Sequence, residues 1–149
     1  MFLDFRKAFD TVSHSLLIQK LALLNLDTSV HNWIQAYLCS RRQCTVLDGE
    51  TSDFVEVTSG VPQGSVLGPL LFLIFINDIH VGVTSQLRLF ADDCVVYRCI
   101  KNDEDSRQLQ ADLDKIELWC SLSKLQLKVS KCVHVTFTHK KINFTLSII

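Results

Sequence analysis

The run Val66–Ile76 is apolar at every position except Gly68 and Pro69. A membrane span needs ~20 such residues, so this run is too short to cross a bilayer. It predicts a buried helix from about Ser65 to Ile79, because a helix that is apolar all round belongs inside a protein core. The chain is long enough to build one. Its 149 residues make one domain at the usual ~150 residues per domain, and such a domain buries roughly 70% of the surface its unfolded chain exposes. Hydrophobic residues at 48% and charged residues at 21% exclude a disordered tail. Lys and Arg number 15 against 16 Asp and Glu, a net charge of -1. The basic excess of a purely electrostatic nucleic-acid binder or a polybasic membrane anchor is therefore missing.

Phe2, Leu3 and Phe5 surround Asp4 and read as a strand carrying one carboxylate. Residues 14–25 are Leu-rich and predict a buried helix. Ser29 reads as the N-cap of the next helix, whose Val30, Trp33, Ile34, Tyr37 and Leu38 recur at helical spacing and are followed by Arg41 and Arg42. Residues 43–47 and 54–58 read as strands around an Asp48-Gly49 turn. The loop Ser59–Gly64 leads into the apolar helix. Residues 87–99 read as two strands joined by a tight turn at Asp92-Asp93. Asp103, Glu104 and Asp105 then open a helix, complementing its dipole, with an apolar stripe at Leu109, Leu113, Ile116 and Cys120 and with Trp119 and Leu122 beside it. A last strand pair is expected at 132–138 and 142–149. The class is α+β, an antiparallel sheet with helices on one face.

No repeat or linker marks a second domain. Asp4, Arg6 and Lys7 leave no uninterrupted apolar core for a signal peptide. None of the six cysteines forms a Cys-x-x-Cys, so free, buried thiols are expected in an intracellular protein, nuclear or cytoplasmic.

Three carboxylates interrupt apolar segments. Asp4 lies within a strand, and Asp92 and Asp93 sit side by side in a hairpin. Adjacent like charges repel, and a partly buried pair would have one pKa raised unless a cation neutralised it. Mg²⁺ prefers oxygen ligands and takes one or two carboxylates besides water and phosphates. Were Asp4 and the Asp pair on adjacent strands, they would suit two ions ~4 Å apart, the geometry of phosphoryl or nucleotidyl transfer. A solvent-exposed Asp-Asp turn with an unrelated Asp4 fits the same residues. The Ser59–Gly64 loop has a similar pair of readings. Its glycines let a ligand approach the backbone, the following helix N-terminus attracts phosphate, and Gln63 can donate to and accept from a base or sugar. It also reads as a plain loop-to-helix junction.

Three blocks resemble motifs A, B and C of a known family, in order. They are Leu3-Asp4-Phe5-Arg6-Lys7-Ala8-Phe9-Asp10-Thr11-Val12, then Ser59-Gly60-Val61-Pro62-Gln63-Gly64-Ser65-Val66-Leu67-Gly68-Pro69, then Phe90-Ala91-Asp92-Asp93. They look like the reverse transcriptase palm of non-LTR, LINE-like retrotransposons, and the likeness runs from Leu3 to about Phe137. The resemblance implies a ferredoxin-like palm sheet and an RNA-directed DNA polymerase working with two Mg²⁺ ions, Mn²⁺ being the alternative. It implies Asp4 and Asp92 as principal metal ligands and Asp93 as a supporting one, with Phe90 and Ala91 framing them. Phe9 would be the gate under the incoming sugar, excluding a 2′-OH; it also reads as a core aromatic. Gln63 and Gly64 would touch nucleotide and template, and Asp10 would support or cap. Leu125–Lys131 looks like motif D, although Lys128 stands where the family often carries Asn. Lys131 would face the triphosphate and stabilise the leaving pyrophosphate; an ordinary surface lysine is the plainer reading.

The partners implied are an RNA template, a DNA primer and deoxynucleoside triphosphates, with no membrane. The single domain, residues 1–149, is expected to be a partial palm lacking the fingers and thumb, with Met1 an internal or fortuitous start. For the chain by itself, a remnant that keeps the fold but not processive synthesis is favoured over an active polymerase. A rival from another class is a non-catalytic interaction protein that docks a partner on open apolar faces. Poor solubility is expected for the isolated chain.

Overall fold

A computed structural model describes residues 1–138; the strand expected at 142–149 lies outside them. In chain order the elements are strand β1 (Phe2–Asp4), helices α1 (Ala8–Thr11), α2 (His14–Ala22) and α3 (Thr28–Leu38), and strands β2 (Arg42–Gln43), β3 (Val46–Leu47), β4 (Glu50–Thr51) and β5 (Val55–Glu56). Helix α4 (Leu67–Ile76), strands β6 (Gln86–Phe90) and β7 (Asp93–Tyr97), and helix α5 (Asp103–Ser123) follow, with short 3₁₀ turns at Asn77–His80 and Val129–Lys131. Two compact units result: Met1–Arg6 with the chain from Asp78 onward, and Lys7–Asn77.

The first unit is built on an antiparallel sheet of order β1-β7-β6. Side chains alternate across a pleated sheet. Leu3, Cys94 and Val96 are therefore buried, while Phe2, Asp93, Tyr97 and Phe90 are exposed on the other side. The buried face meets α5, whose Ile116 and Cys120 are also buried. Leu3, Ile116, Cys120 and Leu125 border a common cleft of about 880 Å³. Helix α5 starts where the Asn102 side chain accepts from Asp105 N, with three acids in its first turn. It ends at Lys124, which turns left-handed at φ 58° and donates its N–H to the Cys120 and Ser121 carbonyls.

The free edge of β1 is lined by residues 126–133. Arg6 N donates to Gln126 O at 2.7 Å, Lys128 N to Asp4 O at 2.7 Å, and Phe2 and Val133 exchange both backbone bonds. This corrects the expected strand at 132–138. The Val129–Lys131 turn interrupts the pairing, and beyond it only Val133 bridges to Phe2.

In the second unit α2 packs on α3 and α4. Leu17 and Leu21 of α2, Ile34 and Leu38 of α3, and Leu71, Phe72, Phe75 and Ile76 of α4 form its core. Contrary to expectation, helix α4 is not buried all round: Leu70 and Leu73 are 52% and 46% exposed. The N-cap of α3 is Asp27, not Ser29: its carboxylate accepts from Ser29 N at 2.8 Å. Of the α3 stripe, Ile34 and Leu38 are buried while Val30 and Trp33 are exposed. The helix expected at 14–25 stops at Ala22. The two strands expected around Asp48-Gly49 are four short ones, β2 with β5 and β3 with β4. Asp48 and Gly49 both take positive φ, 51° and 88°, as a two-residue hairpin turn requires. No helix among the described residues is long and apolar enough to cross a membrane.

All six cysteines are free. Burial, expected for all, holds for Cys94 and Cys120 alone, and it pushes both thiols up to about 12.

Candidate functional site

Antiparallel pairing sets Asp4 directly opposite Asp93. Residues facing each other across such a pair project to the same side of the sheet, so two of the three singled-out carboxylates share a face. Asp92 precedes them in a two-residue turn, Ala91-Asp92, closed by the Phe90–Asp93 pair. The turn is therefore one residue earlier than the expected Asp92-Asp93, and Asp93 begins β7. Ala91 turns the chain at φ 50°, a conformation a side chain adopts only at a cost. Phe90, opposite Asp93 on β6, is 82% exposed.

Asp92 and Asp93 are exposed and Asp4 is half-buried, because Asp4 and Asp93 lie on the sheet face opposite the one that meets α5 and Asp92 lies in the turn. The solvent-exposed reading of the Asp pair therefore holds, but Asp4 is not unrelated to it: it stands across from Asp93. Lys131, at the end of the Val129–Lys131 turn, holds its Nζ 3.7 Å from Asp4 Oδ2. That contact is partly solvated and correspondingly weak. Among the described residues, no three His, Cys, Asp or Glu side chains converge on one ion position. The donor set still suits a hard divalent cation, because Mg²⁺ asks for only one or two carboxylates and fills its octahedron with water and phosphate oxygens.

The Ser59–Gly64 loop belongs to the second unit, where α1 and the chain around it anchor it. Gly60 N donates to Val12 O and Val61 N to Phe9 O, both at 2.8 Å. Ser59 Oγ donates to Asp10 O at 2.9 Å, and Gln63 Nε2 donates to Asp10 Oδ1 at 2.8 Å. His14 Nε2 lies 2.7 Å from Gly60 O. Gly60 has φ +88°, and a Cβ there would sit 2.7 Å from Asp10 O, so the close approach demands glycine. Gly64, at φ +77° with open space around it, needs glycine for its backbone alone. At Gly68 a Cβ would run into the Pro62 carbonyl, and Ser65 Oγ ties this junction by donating to Pro62 O and accepting from Gly68 N.

Phe9 stacks on Phe72 of α4, with centroids 4.4 Å apart and planes at 23°. Phe9 is half-buried against this core helix. Asp10, expected to support or cap, holds the Gln63 amide through its carboxylate.

Sequence reasoning passed over Asp112. It is fully buried on α5. It accepts from Ser85 N at 2.7 Å, Thr84 Oγ1 at 2.9 Å and Thr84 N at 3.1 Å, with Lys115 Nζ at 3.1 Å. Burial alone would raise its pKa, but the hydrogen bonds from Ser85, Thr84 and Lys115 outweigh it and hold the carboxyl well below the usual range. Its spacing was the available signal: three residues after Leu109 and four before Ile116, it stands on the buried stripe.

A family profile described as "Reverse transcriptase (RNA-dependent DNA polymerase)" matches residues 1–146. The chain is 32% identical over 148 residues to the RNA-directed DNA polymerase from mobile element jockey of Drosophila melanogaster, covering 93% of this chain and 16% of that protein. It is 33% identical over 147 residues to the probable RNA-directed DNA polymerase from transposon X-element of the same organism, covering 95% and 16%. Similarity to the Pol polyprotein of a type-1 retrotransposable element R2 from Popillia japonica is 32% over 84 residues, 56% of this chain and 14% of that one. The chain thus spans 16% of the length of the first two relatives.

Proposed function

The chain belongs to the reverse transcriptase (RNA-dependent DNA polymerase) family, and on that premise we propose that it is the palm of an RNA-directed DNA polymerase of a non-LTR, LINE-like element. The reaction is attack of a primer 3′-OH on the α-phosphate of a deoxynucleoside triphosphate, directed by an RNA template, with pyrophosphate leaving. The observation that carries this reading is the facing pair Asp4–Asp93, with Asp92 beside it in the turn.

Two Mg²⁺ ions bound by Asp4 and Asp92, with Asp93 supporting, would supply Lewis acidity toward the attacking hydroxyl and the departing phosphate charge. The chain's own residues do the positioning. Asp4, Asp92 and Asp93 present solvent-open oxygens at one end of the sheet, accessible to a triphosphate. Lys131, released from Asp4, donates to the leaving pyrophosphate and steadies its charge. The resemblance gives Phe9, stacked on Phe72, the part of the ring that excludes a 2′-OH. Gln63 and Gly64 meet nucleotide and template, with Gln63 aimed by Asp10. The ferredoxin-like arrangement of the palm sheet is part of the same proposal.

Primer extension on an RNA template with Mg²⁺ or Mn²⁺ tests this. We expect extension that disappears in Asp92→Ala while the circular dichroism spectrum and melting temperature stay the same. Extension that survives Asp92→Ala overturns the assignment of the site. No extension from a well-folded wild-type chain overturns the enzyme reading in favour of the inactive remnant.

A further inference from the structure

Helix α3 carries a row that the proposed polymerase chemistry leaves unused. Trp33 and Tyr37, four residues apart, lie along one side of the helix, and Arg41 follows beyond its end. The Trp33 and Tyr37 rings stack at 5.7 Å between centroids with planes 16° apart. The Arg41 guanidinium carbon lies 5.9 Å from the centroid of the Tyr37 ring. Next in the chain, Arg42 sits 5.0 Å over the ring of Phe54. Trp33 is 56% exposed and Phe54 57% exposed, far from the burial a structural stack would seek.

The arginines are free for a ligand. Neither forms an ion pair among the described residues. Glu56 stands directly across from Arg42 in the β2–β5 pair, yet the Arg42 guanidinium rests on Phe54 instead. A guanidinium resting against a ring still has N–H donors to offer an anion. Planar apolar faces alternating with unpaired guanidinium edges complement a polymer of planar rings joined by anionic links.

We propose that the Trp33–Tyr37–Arg41 row with Arg42–Phe54 is a binding surface for single-stranded nucleic acid. A base stacks on the exposed face of Trp33, and Arg41 and Arg42 take neighbouring phosphates. Stacking on aromatic rings tolerates any base, so the surface grips a strand without reading its sequence. The identification of that strand as the RNA template rests on the polymerase reading above; the surface itself stands on its own geometry.

The test is fluorescence anisotropy of a labelled single-stranded oligouridylate of about 12 nucleotides, titrated with the full chain. Trp33→Ala is expected to weaken binding roughly tenfold, within the range that loss of one stacked base produces. Trp33→Phe should recover most of the loss. Replacing both arginines (R41A with R42A) should flatten the slope of log affinity against log salt by about 1.4, or ~0.7 for each phosphate of a single strand left without its arginine. Failed extension by a wild-type chain that still binds the oligonucleotide sinks the polymerase reading and leaves this one standing. Circular dichroism confirms that each variant is folded. The proposal is overturned if folded Trp33→Ala binds as tightly as wild type, if an RNA duplex of the same length binds as tightly as the single strand, or if wild type does not bind at all.

Discussion

Replacing Asp112 tests how the β6–β7 hairpin is held. Its carboxylate accepts from the N–H groups of Thr84 and Ser85, immediately before β6, the strand that leads to Phe90 and the Ala91-Asp92 turn. Ser85 is buried, and Asp112 has no exposed surface. In Asp112→Ala the buried Ser85 N–H loses its acceptor where water cannot replace it, at about 1–3 kcal/mol, while the exposed Thr84 can turn to water and loses less. Lys115 also loses its partner, although its half-exposed ammonium can turn to water. The sum is about 2–4 kcal/mol, a large fraction of a domain's ~5–15 kcal/mol. Urea denaturation followed by circular dichroism measures it. The pH dependence gives an independent reading. The folded pKa of Asp112 is depressed, so between it and the unfolded value of ~3.9 the unfolded chain binds the extra proton. The stability from Asp112 is complete above pH ~4 and drains away as the pH falls through that window. In Asp112→Asn this acid-side component should vanish. A loss below about 0.5 kcal/mol in Asp112→Ala, with an unchanged acid limb in Asp112→Asn, would refute the reasoning.

Gly60→Ala should destabilise by about 2–4 kcal/mol in the same denaturation assay, since it adds a clash with the Asp10 carbonyl to a left-handed backbone. Ala91→Gly should stabilise by about 0.5–1 kcal/mol, because glycine relieves the left-handed strain and gives back part of the gain as chain entropy. Alkylation with iodoacetamide at pH 8, read by mass spectrometry, should label the exposed Cys39 and Cys99 quickly. Cys94 and Cys120, buried with thiols pushed up to about 12, should react only as the protein opens.

Much of the fold could be read locally. The hairpin at 87–99, the turn at Asp48-Gly49, the helix from Asp103 and the apolar helix near 67–76 each announce themselves through a period of two or 3.6 residues and a capping or turn residue within a few positions. The errors share one origin. Ser29 reads as the cap because it is a good capping residue, but Asp27 is one too and stands where the chain enters the helix. Residues 132–138 alternate as a strand does, yet a strand needs a partner along its length, and the neighbouring edge of β1 is only three residues long. Trp33 and Val30 fit the stripe of α3 but face outward, because periodicity names a face without saying how wide a neighbour covers it.

At the site the division is sharper. The residues alone left an exposed Asp-Asp turn and a plain loop-to-helix junction open; the resemblance of the blocks at 3–12, 59–69 and 90–93 to a known family's motifs, each legible at short spacing, named the family and the candidate residues. Three things depended on the tertiary structure: that Asp4 faces Asp93, that Phe9 lies on Phe72, and that Asp10 holds Gln63. Each joins residues more than 50 apart in the chain. So did the exposure of the carboxylates and the burial of Asp112. Local periodicity reports which way a residue leans along its own element; which residue it meets is decided by strand register and helix packing, and those exist only once distant segments are brought together.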